Sequence, residues 1–150
     1  MSRGIERVFV VFFGLFCLGW LAFDMPAALG LINESTGWYA REVDPLFRDP
    51  PLWLSTVGWF AFGYGPLYGL VAYGFARRRS WLPWLLLPLA GMITATNTIY
   101  WVEELAGTLP PKNMTIFVAL NLPYFAIPPL AVAWCVAHRH VFDRVRDVRA

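Results

Sequence analysis

The sequence predicts an all-α membrane protein, a bundle of four transmembrane helices with both termini cytoplasmic. Three observations predict it. Hydrophobic residues fill 58% of the 150 positions and charged residues only 15%, where a soluble domain carries about a quarter charged. Mean hydropathy is positive, at +0.51. The charges that remain gather between long apolar stretches, and crossing hydrocarbon takes roughly 20 apolar residues in a helix. Four such spans with short loops occupy residues 1–150 as a single transmembrane domain, with no length left for a soluble one.

The spans are expected at about 5–30, 52–76, 81–105 and 114–138, each long enough to cross at about 1.5 Å per residue. The first follows Arg3 and Arg7 and resembles a signal peptide at its start. Its apolar run continues past Phe23 to about Leu31, beyond the roughly 7–15 residues of a signal's apolar region, so it reads as a retained helix. The breaks are chemically clear. Glu34, Arg41, Glu42, Asp44, Arg48 and Asp49 fill the first loop, which closes on Pro50-Pro51. Arg77-Arg78-Arg79-Ser80 divides the second span from the third, and Gly107 to Asn113 the third from the fourth.

Basic residues orient the bundle. Arg3, Arg7, Arg77, Arg78, Arg79, Arg139, Arg144, Arg146 and Arg149 fall on one side of this topology, against Arg41, Arg48 and Lys112 on the other. The positive-inside rule then places both termini in the cytoplasm. Eleven arginines to one lysine hint at a GC-rich genome and a bacterial inner membrane. Cys17 and Cys135 lie within spans and read as apolar packing residues. His138 and His140 read as solvated bases at the end of the fourth span. No metal or redox site, cofactor or nucleic-acid partner is implied.

Polar residues inside the spans carry the functional interest, because an ionisable group there must be paired, protonated or turned to a cavity. Asp24, near the outer end of the first span, is read as a site residue, a structural hydrogen-bonding group or an interfacial one. On the third span Thr94, Asn97, Trp101 and Glu104 share one helix face. Glu103 suits the solvated interface, and Glu104 continues the inward stripe. Asn121 and Tyr124 share a face of the fourth span, where Asn97 and Glu104 are expected partners for the asparagine's amide. Gly58, Gly63, Gly65, Gly69 and Gly74 mark the second span as one that lets helix backbones approach closely. Pro123, Pro128 and Pro129 in the fourth suit either close packing or a kink that opens a pocket. The outer loop from Trp38 to Trp53 interleaves aromatics with acids, as a lid over the bundle or as an interfacial aromatic belt with solvated charges.

These residues resemble the EXPERA family, which includes the emopamil-binding sterol isomerase and the sigma-two receptor. The likeness is closest to the receptor branch. It rests on Asp24; on Trp38-Tyr39-Ala40 followed by Asp44-Pro45-Leu46 and Pro50-Pro51-x-Trp53; on Ile99-Tyr100-Trp101-Val102-Glu103-Glu104; and on the stretch from Asn121 through Pro123-Tyr124 to Ile127-Pro128. The resemblance implies a four-helix bundle around a ligand cavity, often dimeric, that binds sterols and cationic amphiphiles. It assigns Asp24 and Asp44 to the ligand's ammonium, and an endoplasmic reticulum location in eukaryotes. Buried ammonium needs a carboxylate partner, and aromatic faces add cation–π attraction. The isomerase branch's first-helix His and Glu are missing from Phe16-Cys17-Leu18-Gly19-Trp20, and its second-helix Glu falls near Ala61, between Phe60 and Phe62.

The expected function is therefore binding of a sterol-like, terpenoid or cationic amphiphilic ligand within the membrane, with lipids as the other partners. Asp24 and Asp44 would anchor the polar end, with Trp59, Phe60, Tyr64, Asn97, Trp101, Glu104, Asn121 and Tyr124 completing the site. Two other functions compete. One is a lipid double-bond isomerase or cyclase in which Asp24 or Glu104 is the acid, since a carboxyl in an apolar pocket holds its proton. The other is a structural or trafficking partner of another membrane protein, its polar groups acting as helix glue.

Overall fold

The structure, a computed structural model, describes residues 2–24, 37–47, 52–107 and 109–143, with backbone alone at 2, 23, 24, 40, 47, 52–62 and 143. Most of those residues are helical, and none of them is in a strand. Helix α1 spans Ser2–Gly19 and widens into a π-helical turn over Trp20–Asp24. Short α2 (Gly37–Glu42) and a 3₁₀ turn (Pro45–Phe47) follow. The long helices are α3 (Leu52–Ala76), α4 (Leu82–Ala106) and α5 (Met114–Ala137), and α6 (Arg139–Asp143) closes the described chain. The expected second span matches α3, and the third and fourth match α4 and α5 to within a residue. The first begins earlier than expected, at Ser2, and its expected stretch 25–30 lies outside the described residues.

Three described helical segments are long and apolar enough to cross a membrane: Arg3–Ala22, Leu82–Ala106 and Met114–Ala137. Their outward faces are apolar too. Val8, Val11, Leu15 and Leu18 run exposed along α1, and Trp84, Leu87 and Val136 are exposed on α4 and α5. In water such surface would aggregate or be covered; against lipid tails it has no cost. The chain is an integral membrane protein.

α1 packs chiefly against α3, and α4 against α5. The first interface is aromatic. Phe9, Phe13 and Phe16 lie three or four residues apart on one face of α1. They meet Phe75 and Tyr68 of α3, with ring centroids 5.0 Å apart for Phe9–Phe75 and 5.5 Å for Phe16–Tyr68. Cys135 is buried and free in the same core, so the packing reading of that thiol holds. His138 departs from the solvated reading: it stacks on Trp134 at 3.7 Å, whereas His140 is exposed. Asn113 caps α5, its side chain accepting from the Ile116 amide. α5 continues unbroken through Pro123, Pro128 and Pro129.

The Arg77–Arg79 turn is held by an ion pair. Arg78 adopts positive φ (49°), a conformation that favours glycine. From there its guanidinium reaches both carboxylate oxygens of Glu6 on α1, at 2.9 and 3.2 Å. Glu6 is 5% exposed. Arg78→Ala keeps the backbone strain and strands a buried carboxylate, and is expected to destabilise the bundle by about 2 kcal/mol. Arg78→Gly loses the same pair but relieves the strain, so it should recover about 1 kcal/mol of that loss. Thermal unfolding of the two variants in detergent checks the order.

Candidate functional site

At the end of the bundle opposite Arg78, the outer loop folds back onto α4 and α5. The amides of Lys112 and Asn113, just before α5, donate to the Val43 carbonyl at 2.9 and 3.5 Å. Val43 and Asp44 are fully buried and Leu46 nearly so, packed with Tyr100 of α4 and Phe117 of α5. Of the two sequence readings of this loop, the lid describes residues 39–46, while Trp38 stays half exposed in the manner of an interfacial aromatic.

Local chemistry turns Asp44 inward. The Val43 and Asp44 amides both donate to the Tyr39 carbonyl and close α2. Asp44 Oδ1 then accepts from the Leu46 amide at 3.0 Å, the side-chain turn by which aspartate starts a loop. Its other oxygen, Oδ2, accepts from the Tyr100 hydroxyl. Tyr100 is also hydrogen-bonded to Tyr39, and Tyr39 Oη accepts from Asn121 Nδ2 at 2.9 Å. A continuous polar chain thus joins α5, α2, α4 and the loop inside apolar surroundings, where each such bond is electrostatically stronger than in water. Burial lifts the Asp44 carboxyl above its ordinary value, against hydrogen bonds from Tyr100, Glu104 and the Leu46 amide that hold it down. Burial likewise lifts the Tyr39 hydroxyl.

Glu104 completes the cluster. Its side chain is fully buried within hydrogen-bonding reach of Asp44, and neither of its oxygens meets a donor among the described residues. Two carboxyls in contact hydrogen-bond only when a proton lies between them. Trp101, one turn earlier on α4, packs against Phe117 at 5.1 Å with its indole N–H buried and without an acceptor among the described residues. It also lines an apolar cleft of about 350 Å³ with Val102, Leu105, Leu122 and Phe125. Val102, Leu105 and Leu122 are exposed on the lipid-facing surface, so the cleft opens toward lipid.

The expected site residues divide into groups. Asp44, Trp101, Glu104 and Asn121 come together as described. Asn97 lies on the same face of α4 but bonds the Ile93 carbonyl of its own helix. Asn121 finds Tyr39 and the Phe117 carbonyl instead of Asn97 or Glu104, because the loop inserts at that point. Tyr64 and Tyr124 belong to the other core: Tyr124 stacks on Phe16 at 4.0 Å, and Tyr64 is tilted against Tyr68. The side chains of Asp24, Trp59 and Phe60 lie outside the described residues. Tyr39 and Tyr100 were missing from the expected set. Tyr100 stands four residues before Glu104, a spacing that marks it as a neighbour on the helix.

Apolar helices around a buried, loop-capped carboxyl cluster define a class of integral membrane protein. The chain belongs to the EXPERA family: the profile described as EBP: EXPERA (EXPanded EBP superfamily) matches residues 31–135. No curated protein and no solved structure matches it significantly.

Proposed function

We propose that the protein is a four-span membrane protein that binds a sterol-like, terpenoid or cationic amphiphilic ligand within the bilayer. α3 is the remaining span: its 25 residues reach about 38 Å, against roughly 30 Å of hydrocarbon. Arg3, Arg7, Arg77, Arg78, Arg79 and Arg139 stand at helix ends that share one side of this topology, so both termini face the cytoplasm. The host is a bacterial inner membrane or the endoplasmic reticulum. The whole chain forms one domain, of the receptor-like kind within its family.

The observation that carries this reading is the buried Asp44–Glu104 pair, which has no cationic partner among the described residues and whose Glu104 stands one helical turn from Trp101, a residue lining an apolar cleft open to lipid. The cleft takes the hydrocarbon body, the carboxyls take the polar end, and Trp101 stands between the two. Asp24, at the end of the π-helical turn, joins the site by family resemblance.

Mass spectrometry of lipids co-purifying in mild detergent tests the reading. A lipid enriched with the wild-type protein is expected to be lost from a folded Asp44→Asn, Glu104→Gln double variant; identical lipid profiles would remove the carboxylates from any site.

A second reading, lipid double-bond isomerisation, is favoured by one observation, two buried carboxyls side by side: a proton shared by such a pair would be a general acid in apolar surroundings. Against it, Phe16 and Trp20 fill the first-helix region as buried packing residues. Deuterium from solvent in the recovered lipid would establish turnover.

A further inference from the structure

Resting on that ligand site, we propose that the Asp44–Glu104 pair binds a cation by electroneutral exchange, losing about one proton for each ammonium bound. Both side chains are fully buried, and removing uncompensated charge from water is costly. Among the described residues, which leave out Arg48, the groups facing the pair supply no positive charge. Tyr39 reaches in from α2, Tyr100 and Glu103 from α4, and the Leu46 amide from the loop. Asn121 and Phe117 approach from α5, as amide and ring. Arg41 and Lys112 are nearby in sequence, but both are exposed. The Glu6–Arg78 salt bridge stands at the far end of the bundle.

Protons therefore stand where a counter-ion would. Glu104 gives the second, independent indication. Its two oxygens are enclosed without a donor among the described residues, an arrangement that is costly unless a proton or ligand fills it. The resting pair carries two protons, one on each carboxyl. An ammonium entering beside Trp101 replaces one of them and leaves the other between the carboxyls, so the low-dielectric site has no net charge before or after. No covalent bond changes; the proton leaves to water. The raised Asp44 carboxyl agrees with a proton-bearing resting pair. The Tyr100 and Trp101 faces add cation–π attraction for the bound cation.

The test uses the full chain in phosphatidylcholine nanodiscs and decyltrimethylammonium, whose charge is independent of pH. Calorimetric titration in phosphate and in Tris at one pH separates binding heat from buffer protonation and so counts protons. Release of close to one proton per cation at about pH 6, falling toward zero at about pH 9, supports exchange. Affinity should then rise about tenfold per pH unit over the lower range. Glu104→Gln and Asp44→Asn each keep one buried carboxyl and should still release close to one proton per cation, whereas the Asp44→Asn, Glu104→Gln double variant should show no saturable binding. If the double variant does not fold, the single variants and the wild-type buffer comparison carry the test. Saturable binding without proton release by the wild type overturns the exchange and leaves the ligand site standing. No binding above empty nanodiscs overturns the site and the exchange together.

Discussion

Gly65→Ala is expected to destabilise the bundle by about 3 kcal/mol, the upper part of the range for overpacked cores. A β-carbon at residue 65 would fall inside the indole of Trp20, the first residue of the π-helical turn. Trp20 is itself buried, so the ring has no solvent to move into, and α1 and α3 would have to separate. That interface also carries the Phe9, Phe13 and Phe16 contacts to α3. The cost would therefore spread beyond residue 65. A double-mutant cycle isolates the effect. Gly65→Ala should be severe alone and mild in a Trp20→Leu background, with a coupling of about 2 kcal/mol by thermal unfolding in detergent. Equal effects in both backgrounds would mean that helix propensity, not the contact, sets the cost.

Asp44→Ala is expected to release the outer loop and cost about 3 kcal/mol. It leaves the Leu46 amide and the Tyr100 hydroxyl without their acceptor, and each buried unsatisfied group costs about 1–3 kcal/mol. Asp44→Asn keeps its carbonyl oxygen as acceptor for the Leu46 amide and can turn its NH2 to the Tyr100 oxygen, which then accepts, and should be milder. The pH dependence has a definite sign. Burial raises the Asp44 carboxyl in the folded protein above the ordinary aspartate value. The docked loop therefore binds a proton more tightly than the released loop does. The resulting stabilisation is full below the unfolded value and is lost as pH rises through the raised folded one. Hydrogen exchange at residues 41–46 should accordingly show extra loop opening with rising pH, beyond the intrinsic base catalysis of exchange. In Asp44→Asn that extra pH dependence should vanish.

The two effects fall on different ends of what a one-dimensional reading reaches. Gly65 was recognisable as one of five glycines that let the second span approach a neighbour. That Trp20 is the group it admits depends on how α1 is rotated against α3. Asp44 stood in a loop for which lid and interfacial belt were equally good readings. Choosing between them required Val43 to meet the Lys112 amide, and Tyr39 to meet Asn121. Sequence reasoning placed Tyr64 and Tyr124 with the carboxylates because all are polar or aromatic in apolar spans. In the fold they pack with Phe16 and Tyr68 in a separate core.

The sequence by itself determined the helical class, the extents of α3, α4 and α5, the basic residues between and beyond them, and the inward character of Glu104. These follow from local physics. In hydrocarbon each backbone N–H and C=O must be satisfied within its own segment, so hydropathy and length suffice to delimit a helix. Only the tertiary structure decided that Asp44 and Glu104 share one buried site, and that Arg78 in a strained turn is held by Glu6. These contacts join remote segments, and they depend on helix rotation and loop docking set by packing of the whole bundle, which no local periodicity records.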